Sequence, residues 1–225
     1  MMLSASVTRG TAPCDAANAS AHDAIDSDGR KPSGPSWVFA HATCRGFSCF
    51  PEGEARTGLK LVARWIDPLA AALRDASAFR GYALRDATHD DEALLYALHR
   101  DGLRQYVDAT WGWEEEWQRA HFAGQYQANA NAVIVRKSSS PQDVGRLSLT
   151  RHWRKIFLRD IELMASERNR GIGGAIIGSV LTLAANSGRH VELLVLKCNP
   201  AQRLYERMGF RPVSDDGARL RMRAL

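Results

Sequence analysis

The sequence predicts an α/β fold in three layers: a mixed, mostly antiparallel sheet with helices on both faces. Two observations predict it. Short apolar runs of strand length recur at residues 81–86, 132–137, 144–150, 156–164, 191–197 and 218–222. The second and third flank a polar turn, residues 138–143, as adjacent strands of an antiparallel meander do. Helical periodicity then follows the fourth run: Ile172, Ile176, Ile177, Val180, Leu181 and Leu183 recur at mostly three- and four-residue steps. Strand, glycine-rich loop, helix and strand therefore succeed one another over residues 156–197, and a further helix and a closing hairpin complete the chain.

The first strand is read at residues 81–86 (GYALRD). Thr88 as N-cap and Asp91 near N3 open a helix whose buried side is Leu94, Leu95 and Leu98. The pair Asp101-Gly102 is expected to weaken or end it. Residues 107–113 (VDATWGW) read as a loop or bend rich in aromatic groups. Residues 114–126 form a further helix, with Trp113, Trp117 and His121 at four-residue spacing. Such a stripe reads first as core. Residues 151–155 are a basic turn into the fourth strand.

The loop between the fourth strand and its helix holds Arg168, Asn169, Arg170, Gly171, Ile172, Gly173 and Gly174. Glycines let the backbone turn tightly and let a bulky ligand approach its N–H groups. The first N–H groups of a helix have no internal partner and carry the positive end of the dipole. Together these describe an anion cradle, most naturally for phosphate. It is not a nucleotide P-loop, since no GxxxxGK[ST] is present, and it lacks the last glycine of a dinucleotide GxGxxG.

The run Arg168-Asn169-Arg170-Gly171-Ile172-Gly173 resembles the acetyl-CoA loop [RQ]-x-x-G-x-[GA] of the GCN5-related N-acetyltransferases (GNAT). A second block, from Asn199 through Arg203 and Tyr205 to Gly209-Phe210, resembles that family's second cofactor segment. Its physics agrees: Asn199 or Pro200 starts a helix, Gly209 ends it, and Phe210 begins the next strand. The likeness covers residues 81–225. Asn169 stands where glycine is common and Ala165 where proline is common; Asn tolerates a left-handed backbone.

The resemblance implies acetyl-CoA as co-substrate and no metal. Backbone at Leu163, Met164 and Ala165 would pair with pantetheine, and Arg168 to Gly174 would hold the pyrophosphate, with Asn199 and Arg203 as further cofactor contacts. It places Tyr205 near the sulfur, and Trp111, Trp113 and Glu114 beside the acceptor. The implied reaction is direct acetyl transfer to a primary amine in a ternary complex. The alternative is a non-catalytic acyl-CoA-binding regulatory or interaction module on the same cradle.

The chemistry sets the remaining candidates. An amine with a pKa near 10.4 must lose its proton before it attacks a thioester. Glu162, in the middle of the fourth strand, is a candidate general base; the other reading is a solvent-facing or ion-paired residue, with Arg159 as the partner. Glu114, Glu115 and Glu116 are weaker candidates, better explained as a helix start favoured by the dipole. A tyrosine near pKa 10 stays protonated at pH 7, so Tyr205 can serve as general acid or simply pack.

The 225 residues carry 45% apolar and 24% charged side chains and a formal charge of +5. The basic balance suits anionic ligands, yet no nucleic-acid motif is present and none is expected as a partner. No apolar run reaches the ~20 residues of a membrane span, and no signal peptide is read, so a reducing cytoplasm is the expected compartment. Cys14, Cys44, Cys49 and Cys198 give no disulfide framework, and His41, Cys44 and Cys49 give one ligand too few for a structural zinc. Residues 1–35 have almost no large apolar side chains and are expected to be disordered. Residues 59–76 read as a helix interrupted at Pro68. The expected domain is 79–225, with 1–78 either a poorly structured tail or the product of a start codon placed too far upstream. The acceptor, small molecule or peptide, and the oligomeric state, a dimer included, stay open.

Overall fold

The structure, a computed structural model, describes residues 65–225. The expectations for residues 1–64, among them the disordered stretch 1–35 and Cys14, His41, Cys44 and Cys49, lie outside the described residues.

Seven strands form one sheet. They are β1 (Tyr82–Asp86), β2 (Asn131–Arg136), β3 (Gln142–Arg151), β4 (Lys155–Leu163), β5 (His190–Leu196), β6 (Arg211–Asp215) and β7 (Arg219–Ala224). Their order is β1-β2-β3-β4-β5-β7-β6. Every neighbouring pair is antiparallel except β4 and β5. The mixed, mostly antiparallel α/β sheet read from the sequence is the one observed.

Among the described residues five α-helices cover it: α1 (Ile66–Leu73), α2 (Glu92–Trp111), α3 (Glu115–Gln125), α4 (Ile172–Asn186) and α5 (Ala201–Arg207). Along each strand alternate residues face the two layers. Leu147, Leu149, Ile156, Leu158, Val191, Leu193 and Met222 face α1 and α4 and form the main core with Ile172, Ile176 and Val180. The opposite face of β2–β4 meets α2 and α3, where Leu95, Tyr96, Leu98, Phe122 and Val133 make a smaller core.

Three expectations change. Leu69 and Leu73 of α1 are almost wholly buried and Ile66 nearly so, packed in the main core. The folded unit therefore includes residues before 79. Pro68 does not interrupt this helix; it sits in the first turn, where its missing N–H costs nothing. Finally, α2 runs straight through Asp101-Gly102 and ends only at Trp111, so the loop expected at 107–113 is mostly helix. Gly102 has a packing reason to be there. A Cβ on it would lie 3.3 Å from Cγ of Glu162, so the helix approaches β4 closely only because that position is bare.

The helix start matches its reading: Thr88 and Asp91 form a reciprocal capping box. Arg85 locks it by a two-pronged pair with Asp91 and bonds to Asp143. Among the described residues, no helix is long and apolar enough to cross a membrane.

Candidate functional site

The sheet opens where β4 and β5 part. The two pair only from Lys155–His190 to Leu158–Leu193. Just beyond, Ser148 faces Asp160 while Leu149 faces Leu158, so Arg159 is an extra residue in β4. Such a bulge bends its strand and ends local pairing. The result is a cleft of about 1000 Å³, walled by Ile161, Glu162 and Leu163 on one side and Leu194, Val195 and Leu196 on the other.

One end of the cleft is the head of α4. Asn169 (φ 62) and Gly171 (φ 81) are both left-handed, two residues apart in the loop. These two reversals deliver the chain into the helix, and Asn is among the few residues with a side chain that suit the first of them. The first internal bond runs from the N–H of Ala175 to the carbonyl of Gly171. The N–H groups of Ile172, Gly173 and Gly174 thus head the helix without internal partners. Arg168, Asn169, Gly171, Ile172, Gly173 and Gly174 line the cleft, as do Leu163 and Asn199. A Cβ on Gly173 would lie 3.6 Å from Leu204 and 4.0 Å from Ile161, filling the concavity in front of these amides.

Not every expected cofactor residue stands there. Arg168 does not reach outward; its guanidinium folds back to donate to the carbonyls of Leu163 (2.9 Å) and Asp101 (3.4 Å), stapling the loop to β4 and α2. Met164, Ala165, Arg170 and Arg203 fall outside the cleft wall. The N–H of Met164 is already bonded to the carbonyl of Val144, and Arg170 pairs with Glu167 at 3.5 Å. Glu167 itself was missed by the sequence reading. It is fully buried, accepts from Tyr82 (2.6 Å) and Arg136 (2.8 Å), and anchors the loop to β1 and β2.

The middle of the cleft holds four charged or titratable side chains brought from three elements. Glu162 is 6% exposed; its Oε1 lies 2.7 Å from Nδ1 of His99 on α2, and its Oε2 3.3 Å from Arg146 on β3. Arg146 also reaches Asp160 at 3.1 Å, donates to Asn131 at 2.9 Å, and lies over the Phe122 ring at 4.8 Å. The sequence reading offered Arg159 as the ion-pair partner of Glu162; the partners are Arg146 and His99, while Arg159 bonds to Gln125. Burial pushes the His99 imidazole down, but the Glu162 charge and hydrogen bond, with Asp160, outweigh it and hold the ring above its ordinary value. Burial pushes the Asp160 carboxyl up, yet Arg146, His99 and Arg159 hold it below the carboxylate range. His99, Asp160 and Glu162 bring ligand atoms within 4.8 Å of one another, and the cation already seated between the two carboxylates is Arg146.

Tyr205, on α5, is nearly buried and lines the same cleft. Burial pushes its phenol well above the usual value, and the Asp160 and Glu162 charges add to this. Its helix begins as expected: Oδ1 of Asn199 accepts from the N–H of Ala201, and Gly209 (φ 91) follows the end. Cys198 is half-buried against the Tyr106 carbonyl and Thr110.

The other end of the cleft is aromatic. Trp111 lines it, as expected, together with Trp117, His121 and Phe157. Trp113 and Glu114 do not. Gly112 (φ 84) turns the chain between α2 and α3, Trp113 donates its indole N–H to Glu115, and Glu114 is the exposed N-cap position. The stripe begins one turn later, with Trp117 and His121 stacked at 4.5 Å.

The model of the acetyltransferase (GNAT) family matches residues 95–210, just over half of the chain. Among solved structures, a PaiA N-acetyltransferase from Thermoplasma acidophilum in complex with coenzyme A aligns at 16% identity and TM-score 0.51, over 63% of this chain and 97% of that one. A domain from Methanocaldococcus jannaschii aligns at 16% identity and TM-score 0.50, over 64% and 97%. At that identity the likeness is one of fold. No curated protein matches the sequence.

Proposed function

The chain belongs to the acetyltransferase (GNAT) family, and from that premise we propose that it moves the acetyl group of acetyl-CoA directly to a primary amine within a ternary complex. The observation that carries this reading is the meeting, in one cleft, of unpaired helix-head amides, a buried carboxylate cluster and a buried tyrosine. Acetyl-CoA supplies the activated acyl group as a thioester. The amides of Ile172, Gly173 and Gly174 suit its pyrophosphate, and the bare Cα of Gly173 leaves room for it.

Glu162 takes the proton that the acceptor amine must lose, and its hydrogen-bonded partner His99 shares it. Arg146 fixes the direction of the carboxylate and balances its charge. Tyr205 stays protonated throughout the neutral range and lines the cleft. A phenol pushed upward gives its proton to the thiolate of a thiol with pKa about 8.5 only uphill. Its main contribution is therefore a hydrogen bond to the departing sulfur, which strengthens as charge develops there.

The test is release of CoA thiol when the purified full chain meets acetyl-CoA and a broad amine panel, with Tyr205→Phe alongside. Acceptor-dependent release is expected, with kcat lowered in Tyr205→Phe and acetyl-CoA affinity kept. The loss should shrink for donors with more acidic thiols. Tight CoA binding with no release for any acceptor would overturn the enzymatic reading in favour of a CoA-binding regulator.

A further inference from the structure

Helices α2 and α3 pack over β2–β4; among the described residues, the same face of β5, β7 and β6 carries a different surface. Register fixes which side chains share it. Glu192 lies opposite Arg223, Leu194 opposite Arg221 and Leu196 opposite Arg219, while Val191, Leu193 and Met222 turn to the core. On the neighbouring strands, Lys155 pairs across to His190 and Arg211 to Arg223. Directly opposed residues project to one face, so Lys155, His190, Arg211, Arg219, Arg221 and Arg223 gather on the face that holds Glu162.

Within this surface Arg219 pairs with Asp216 at 2.7 Å, and one further acid serves four cations. Glu192 is shared by Lys155 (2.8 Å), Arg223 (2.7 Å), His190 (3.2 Å) and Arg221 (3.6 Å). Arg221 and Arg223 remain well exposed. The row of arginines starts at the cleft, where Arg219 lines the wall against Trp111, and runs outward along β7. At its far end Trp153 is 81% exposed, with the Arg154 guanidinium 5.0 Å from its ring.

The dimensions select a partner. From Glu162 to Phe157, which sits beside Glu192, is five residues of β4, or about 16 Å at ~3.3 Å per residue. A small amine held at Glu162 does not extend that far, whereas an extended polypeptide does in about five residues. Nucleic acid fits the charge but not the chemistry at the other end, because base amino groups are conjugated and make poor nucleophiles. We propose that the acceptor is a polypeptide that presents its amine to Glu162 and lays acidic side chains, about three to six residues away, on the arginine-rich face of β5, β7 and β6. This rests on the acetyl-transfer reading above.

Two arms keep the two claims apart. In the binding arm, fluorescent peptides of equal length with an Asp/Glu run or a Lys/Arg run are titrated against the full chain, beside a DNA duplex of comparable charge. The acidic peptide should bind, weaken with added salt, and weaken roughly tenfold in Arg221→Glu with Arg223→Glu. The triple variant Glu192→Gln, Arg221→Gln, Arg223→Gln leaves no buried carboxylate short of partners and should show the same trend if the reversal impairs folding. In the transfer arm, the acidic run should lower KM relative to the basic one, and both sets of variants should erase that advantage while leaving kcat with a short amine unchanged. Equal use of acidic and basic peptides, or binding of the duplex alone, would overturn the docking claim while acetyl transfer stands. Loss of transfer to every acceptor, with acidic binding intact, would instead count against the reading it rests on.

Discussion

The helix-head end and the charged middle of this cleft, proposed above as its cofactor cradle and reaction centre, are built on opposite principles. The cradle is local: Asn169, Gly171, Gly173 and Gly174 lie within six residues, and backbone N–H groups face the cleft. The reaction centre is assembled at long range, from His99 on α2, Arg146 on β3, Asp160 and Glu162 on β4 and Tyr205 on α5. Backbone recognition needs small residues at fixed offsets and leaves a motif. Side-chain recognition needs only that the fold bring charges together, and it leaves single letters scattered over a hundred residues.

The sharpest way to break the contrast is Glu162→Gln. If the reaction centre works as a unit, kcat should fall by about 10²–10⁴ while acetyl-CoA affinity stays within a few fold, measured by steady-state kinetics and calorimetry. A parallel loss of affinity would mean the two ends are not separable. Next comes Leu69→Ala. Truncation of this buried side chain of α1, which packs in the core with α4, should cost about 2–5 kcal/mol by denaturant melting. Unchanged stability would return the start of the domain to residue 79.

Gly173→Val tests the cradle alone. Acetyl-CoA binding should weaken about tenfold or more with little change in melting, because the added Cβ meets Leu204 and Ile161 at ordinary contact distance while the side chain stands at the helix head. Gly102→Ala tests the reaction centre alone. The helix gains about 1 kcal/mol of intrinsic preference, yet its Cβ crowds Glu162, so kcat should drop several fold as stability holds or rises. Stability and activity moving together would remove the close approach as the reason for this glycine.

The smallest effect is a pH dependence. The folded His99 titrates above its ordinary value because Glu162 outweighs burial. The stability it contributes is therefore complete below about pH 6.5 and is lost as pH rises through the folded value. The melting difference between wild type and His99→Gln should be larger at pH 5.5 than at pH 9. The reverse trend would mean that the ring is held neutral.

This contrast also explains what could be read beforehand. The sheet, the glycine loop at the head of α4, the capping box at Thr88 and the helix after Asn199 were legible because each is a local pattern of period or spacing. Trp113 and Glu114 were misplaced because the resemblance points to a segment and not to single side chains, and the turn at Gly112 leaves Trp111 on the cleft wall but not the two residues after it. The run through Gly102 was missed because its cause, Glu162, is sixty residues away. Arg146 and Asp160 carried a usable signal: charges inside otherwise apolar strands are buried only when paired. Glu167 carried none, since its partners Tyr82 and Arg136 lie on the far edge of the sheet.

That buried glutamate has a consequence for how ligand comes and goes. A loop tied by Glu167 to β1 and β2, and by Arg168 to Leu163 and Asp101, is fixed in shape before anything arrives. If acetyl-CoA binds there as proposed, association carries little ordering entropy at this end, and the residence time is set by the contacts made rather than by a hinge opening. The molecule behaves here as a socket, not a clamp.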